Sequence, residues 1–336
     1  MAQPFDIDRS QTTGDPFRIA DDVSTVTNGR SSFSVSETGV LAYRTGANLR
    51  SAQPTWFDRS GKPLGTIGEE GLYRQVALAP DGRKIAVEKF DARGVQDIWV
   101  VDNRGISTRL TFEGALDPIW SPDSRQVAFG YPRRGRAVDF RVVRKAVESS
   151  EEVLVWQGAE LRYPESWSPD GTSLMYVSNT ILGALPLTPD AKPLVWLDTP
   201  FAKDEPRFSP DGRWIAYQSN ESGQADVFVQ AFPGPGQKLR ISTDGGGVPR
   251  WRADGRELFY VTPTGILMAV TMAGSARLEP GIPQRLFQTP IASPGLNIDQ
   301  YDVSADGQRF VVLTPSQDSR QTPITVVVNW TANLAP

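Results

Sequence analysis

The side chains able to do chemistry in this 336-residue chain are carboxylates, and they recur. Asp81, Asp123, Asp170, Asp211, Asp254 and Asp306 follow one another at steps of 42, 47, 41, 43 and 52 residues. There is no histidine and no cysteine. That removes the Ser–His–Asp triad, thiolate catalysis, His- or Cys-ligated metals, disulfides and the His-Arg-Asp loop of protein kinases. No Gly-x-Ser-x-Gly elbow occurs, and Gly234-Pro235-Gly236 and Gly245-Gly246-Gly247 lack the spacing of a phosphate loop. What remains is carboxylate-only chemistry, as in glycoside hydrolysis or calcium binding.

The recurring aspartates read first as structure. Each stands in a short turn such as Ser209-Pro210-Asp211-Gly212, where proline pre-sets φ, aspartate bonds nearby amides and glycine accepts a positive φ. Recurrence in every unit is what a folding role requires, whereas a single site needs divergence. Divergence appears three residues before the end of the strand that precedes each turn. Ser32, Gln75, Asp117, Pro164, Glu205, Val248 and Gln300 occupy that position, with Arg74, Glu165, Asp204, Arg250 and Asp299 beside it. The candidate ligand- or partner-binding set is therefore Arg74, Gln75, Asp117, Glu165, Asp204, Glu205, Arg250, Asp299 and Gln300. These are expected to ring the mouth of a central channel, opposite the Asp-Gly turns. A mostly acidic rim with two arginines suits a cation, a basic peptide or a sugar-like ligand. The alternative is a solvated rim with no ligand.

The elements that must position these residues are strands. After each turn comes a short apolar run: Ile85-Ala86-Val87, Val127-Ala128-Phe129, Leu174-Met175-Tyr176, Ile215-Ala216-Tyr217, Leu258-Phe259-Tyr260 and Phe310-Val311-Val312. Val35-Ser36-Glu37-Thr38-Gly39-Val40 is a worn seventh copy. A period of roughly 40–45 residues with four short strands per unit marks a β-propeller. The expectation is an all-β propeller of four-stranded antiparallel blades, seven in number, with six plus extra strands as the fallback. Trp120, Trp167, Trp214 and Trp251 fall at strand positions of the repeat and are expected in the core rather than as stacking platforms.

An unbroken repeat makes residues 1–336 a single domain, with 24–313 carrying the repeats and 314–336 a last outer strand and tail. Residues 1–23 resemble the outer half of a blade. They are expected either to close the ring, through Phe17–Ala20, or to belong to a blade begun upstream. In the sheets so drawn, Ser32–Tyr43 pairs with Pro54–Asp58, and Tyr301–Leu313 with Ile324–Trp330. A net charge of −4 argues against a nucleic-acid partner. The one basic run, Arg133-Arg134-Gly135-Arg136, reads as a solvated loop. No apolar run approaches a membrane span, and Met1–Asp6 has neither the basic start nor the apolar core of a signal peptide.

Ser-Pro-Asp-Gly before a short apolar strand, then Asp97-Ile98-Trp99-Val100 and Leu110-Thr111, resembles the TolB-like, WD-like β-propeller repeat over essentially the whole chain. More narrowly, Phe232-Pro233-Gly234-Pro235-Gly236, Leu267-Met268-Ala269-Val270 and Tyr301–Phe310 resemble propeller regions of bacterial serine/threonine receptor kinases. The resemblance implies an extracytoplasmic, periplasmic or cell-surface, location. It also implies a non-catalytic binding or scaffolding module for a protein, peptide or small ligand. The ligand-sensing part of a receptor kinase and a carboxylate-based hydrolase or lyase are the alternatives. No cofactor and no metal are expected, and the chain is expected to be monomeric.

Overall fold

In a computed structural model of the chain, the described residues are 3, 5–16, 18–20, 23, 33–44, 51–91, 94–132, 140–188, 191–274, 277–291, 299–316 and 324–330. They form two compact units, Ser51–Pro315 and Met1–Arg50 with Ser316–Pro336.

Five four-stranded antiparallel sheets and one with a fifth short strand make up the described part of the larger unit. The first blade is Leu72–Leu78, Lys84–Phe90, Gln96–Asp102 and Ser107–Arg109. The second is Leu116–Trp120, Gln126–Pro132, Phe140–Ala146 and Glu152–Gly158, and the third Tyr163–Trp167, Ser173–Ser178, Ile181–Pro186 and Leu194–Asp198. Lys203–Phe208, Trp214–Ser219, Asp226–Ala231 and Lys238–Arg240 form the fourth. The fifth runs through Gly247–Trp251, Glu257–Val261, Ile266–Ala273 and Gln284–Gln288, with Glu279–Pro280 added at its outer end. The sixth joins Tyr301–Val303 and Arg309–Pro315 to Ala52–Asp58 and Pro63–Thr66.

The ring closes. Each innermost strand touches the next, and the last returns to the first. There Val76 N–H donates to the Asp299 carbonyl and Leu78 N–H to Asp302 Oδ2, both at 2.8 Å. Apolar layers fill the spaces between blades. Ile85, Val87 and Val101 pack against Val311 and Leu313 across the closing seam, and Phe129 and Tyr131 pack against Ala86 and Ile98 between the first two blades. Each such fully buried Val, Leu, Ile or Phe side chain stabilises by about 1.5–3 kcal/mol.

All-β architecture in four-stranded blades is as the repeat predicts; six such blades ring the larger unit, and further strands belong to the smaller one. Strand pairing at the chain ends differs from the sequence reading. Arg309–Pro315 pairs along its whole length with Ala52–Asp58, not with Ile324–Trp330. Ala52–Asp58 wins that edge because it buries Ala52, Pro54, Thr55 and Phe57, whereas Ile324–Val328 has no buried position. Phe57 also stacks on Phe287 at 5.8 Å. Ile324–Val328 instead pairs with Val40–Arg44, which pairs with Phe33–Val35. This three-stranded sheet, with the small Phe5–Asp6/Gln11–Thr12 hairpin, belongs to the smaller unit. The closing blade takes Pro63–Thr66 as its fourth strand and not Phe17–Ala20, of which Arg18–Ala20 join no strand; Phe17 and Arg133–Arg136 lie outside the described residues. No described helix is long and apolar enough to cross a membrane.

Candidate functional site

The turn aspartates hold their own turns. Ser121, Ser168, Ser209 and Ser304 each donate a hydroxyl to Asp123, Asp170, Asp211 and Asp306 at 2.6 Å. The amide two residues on donates to the same oxygen. Those hydroxyls are the chief reason that Asp123, Asp170 and Asp306 sit below the usual carboxylate range. Their role in the structure is local.

The innermost strands carry the site. In the first five blades their register slips by a bulge, falling at Tyr73/Gln75, Leu116/Ile119, Pro164/Ser166, Asp204/Arg207 and Gly247/Arg250. Asp117, Glu205 and Val248, repeat-equivalent residues, each take a left-handed φ of 54° there. That conformation is uncommon for Asp and Glu and an outlier for a β-branched residue. A bulge re-aims the side chains that follow it. Beyond these five bulges, and in the unbulged Tyr301–Val303, the residue just before the strand's last is among those lining the channel: Ala77, Ile119, Ser166, Arg207, Arg250 and Asp302.

These six surround a cavity of about 240 Å³ that reaches the turn prolines Pro80 and Pro210 and is walled by Trp120, Trp167 and Trp251. Its polar side is a buried ion network. Arg207 Nη1 donates to Glu165 Oε2 at 3.0 Å, and its Nη2 to Glu205 Oε2 at 2.7 Å and to Asp299 Oδ2. Arg250 pairs with Asp299, with Glu205 at 3.7 Å and with Asp302 at 3.5 Å. Below it a second group forms: Arg74 meets Glu88 at 3.1 Å, and Gln75 Nε2 donates to Asp117 Oδ1 at 2.9 Å.

Glu165, Asp299 and Asp302 line the cavity and Glu205 adds a fourth carboxyl to the two guanidiniums, so fully ionised carboxyls would outnumber the cations. Burial raises Glu165 and Glu205 well above the carboxylate range and raises Asp302. For Glu205 the adjacent Asp299 charge adds to burial, and the interaction between the two carboxyls raises Glu205 and lowers Asp299. Burial pushes Asp299 up too, but the two guanidiniums outweigh it and hold it well below the usual range. In the second group burial and then the Glu88 charge push Asp117 up to about 7. Two of the lining residues carry an unpaired donor: Ser166 Oγ and Trp167 Nε1 are buried without a partner.

All nine sequence-derived candidates stand at or just before the innermost strands, but not as an open rim. Gln75, Glu205, Arg250 and Asp299 are buried, with Glu205 only 2% exposed. The bulge turns this part of the strand inward, so the expected solvated mouth is a buried layer. Glu165, Arg250 and Asp299 line the cavity, which extends toward the Asp-Gly turns rather than away from them. Arg74, Gln75 and Asp117 belong to the second group, and Gln300 contributes its carbonyl to Leu313 N–H at 2.9 Å. Asp204 accepts the Glu205 amide at 3.0 Å. Sequence reasoning missed Arg207, Glu88 and Asp302. The signal for Arg207 was present, because it is the repeat equivalent of Arg250. The tryptophans pack as expected: Trp120 and Trp251 also donate their indole N–H to the carbonyls of Ala77 and Arg207 in the preceding blade.

No family model matches the chain. An uncharacterized protein of Agrobacterium fabrum is 31% identical over 163 residues, a match spanning 46% of this chain and 51% of that protein. The chain thus matches about half the length of this curated relative. Among solved structures, a TolB-type protein of Agrobacterium tumefaciens superposes with a TM-score of 0.58 at 18% identity, covering 80% of this chain and 99% of that one. TolB of Acinetobacter baumannii gives 0.54 at 17% identity, covering 87% and 79%. The chain has the TolB-like β-propeller fold.

Proposed function

We propose that this propeller is a non-catalytic binding module that takes a cationic group, the side chain or end of a peptide or protein segment, in its central cavity. One observation carries the reading: Glu165, Asp299 and Asp302 line the cavity with Arg207 and Arg250, and the buried Glu205 adds a fourth carboxyl to these two guanidiniums. A positive group entering there displaces protons from Glu165 and Glu205 and finds aromatic walls suited to a guanidinium or ammonium. The volume is smaller than a typical small-molecule pocket, so a side chain fits better than a whole ligand. A location outside the cytoplasm accompanies this reading and rests on the likeness of the repeats to TolB.

The test is a titration with N-acetyl-arginine amide followed by tryptophan fluorescence, since Trp120, Trp167 and Trp251 wall the cavity. Glu165→Gln, which keeps an acceptor for Arg207, should weaken binding at least tenfold. An unchanged affinity in that variant, or preference for an acidic probe, contradicts the proposal. Charge reversal at Glu205 is a poor test, because it places a third cation beside Arg207 and Arg250.

A second reading is favoured by the contrast between the raised Glu165 and Glu205 and the lowered Asp299, a pattern used in acid–base catalysis. Each brings one oxygen within 4.8 Å of the others, a spacing that also suits a metal. Arg207 already donates to all three and holds that position. Turnover of a glycan or ester, lost in Glu165→Gln, supports the enzymatic reading over the binding one.

A further inference from the structure

The six blades do not line the channel cavity alike. The first and second give it only uncharged side chains, among them Ala77, Leu78, Ile119 and Trp120. Every charged lining residue comes from the third to sixth: Glu165, Arg207, Arg250, Asp299 and Asp302. Ala77 and Ile119 hold the same place in their innermost strands as Arg207, Arg250 and Asp302, so the uncharged and the ionic side stand at one level of the channel. The two sides also adjoin. Leu78 N–H donates to Asp302 Oδ2 at 2.8 Å, which seats that carboxyl at the margin of the apolar wall. Neither side is sealed in the core. Ala77 and Leu78 are half-buried, and the Glu165 and Asp302 side chains remain 12% and 17% exposed.

This layout narrows the occupant. Lysine and arginine carry their charge at the tip of an apolar stem, so charge and stem enter a channel one behind the other. The first residue of a chain is built differently. Its α-ammonium and its side chain branch from one carbon and meet adjoining walls at the same depth. An ammonium brings three donors to acceptor groups, and an apolar side chain gains by leaving water for an uncharged wall. The rest of the chain leaves past the turn prolines Pro80 and Pro210.

We infer that the cavity takes the N-terminal residue of a polypeptide, its α-ammonium among the cavity carboxyls and an apolar side chain against Ala77, Leu78 and Ile119. The inference rests on the binding reading above and names the ligand of that same site.

The experiment measures four probes on the whole chain by tryptophan fluorescence: Leu-Gly-Gly amide, Gly-Gly-Gly amide, N-acetyl-Leu-Gly-Gly amide and N-acetyl-arginine amide. Leu-Gly-Gly amide should bind about tenfold more tightly than Gly-Gly-Gly amide, the effect of burying a leucine side chain. It should also bind more tightly than N-acetyl-arginine amide, and acetylation should abolish its binding. Ala77→Asn should remove most of the preference for leucine over glycine, and Ile119→Thr makes the same test where Ala77→Asn fails to fold. A leucine preference that survives both wall variants overturns the inference. Three cationic probes that bind alike, each weakened by Glu165→Gln, overturn it and leave the binding reading standing. Tightest binding by N-acetyl-arginine amide does the same and assigns the cavity to a side chain. Acetylated and free leucine peptides of equal affinity, or no binding by any probe, contradict both readings.

Discussion

Arg207 of the fourth blade donates a hydrogen bond to Asp299, 92 residues further on, at the entry to the sixth. The same guanidinium holds Glu165 of the third blade. One side chain thus ties three innermost strands together across the channel, and the candidate site is also a structural hub.

Arg207→Met tests that double role. Removing it leaves Glu165, Glu205 and Asp299 facing Arg250 alone, and breaking a buried pair from one side costs about 3–5 kcal/mol. Chemical denaturation at pH 7 should show that loss. At pH 5 the loss should be smaller, because the raised carboxyls take up protons in place of the missing cation.

Asp117 predicts a pH dependence of opposite sign to ordinary acid denaturation. Its carboxyl is pushed from 3.8 up to about 7 by burial and by Glu88. An acid raised in the folded state binds its proton more tightly there, so its contribution is full below pH 3.8 and lost as pH rises toward about 7. Asp117→Asn keeps an acceptor for Gln75 and tolerates the left-handed φ. It should stabilise the protein by up to about 4 kcal/mol at pH 8 and leave it nearly unchanged at pH 4. Denaturant midpoints at the two pH values decide it; equal effects at both would refute the assignment.

The closing seam predicts which segments the propeller needs. Ala52–Asp58 and Pro63–Thr66 are the outer strands of the sixth blade, so residues 51–315 should unfold in one cooperative transition. Starting instead at residue 68 leaves Arg309–Pro315 as an uncovered apolar edge, and that chain should aggregate or melt far lower. Circular dichroism melts of the two truncations make the comparison.

Much of this was legible in the chain. Pro-Asp-Gly turns followed by short apolar runs are local chemistry, and each copy could be read without the others. Pairing was not. Ala52–Asp58 and Ile324–Val328 both read as strands, and which one joins Arg309–Pro315 depends on burial such as that of Phe57 against Phe287, residues distant in sequence. The candidate positions were legible as places where copies disagree. Their orientation was not, because the bulge at Asp117, Glu205 and Val248 shifts the inward-facing residue by one. Strict alternation hid Arg207 and assigned Glu205 to an open rim.

The most direct test of the central claim is calorimetry of N-acetyl-arginine amide binding, repeated at pH 7 in buffers of different ionisation enthalpy. A cation entering a cavity whose carboxyls hold protons must expel them, so the account predicts net proton release on binding, reduced in Glu165→Gln. Binding with no proton release, or release unchanged by Glu165→Gln, would show that the cation goes elsewhere.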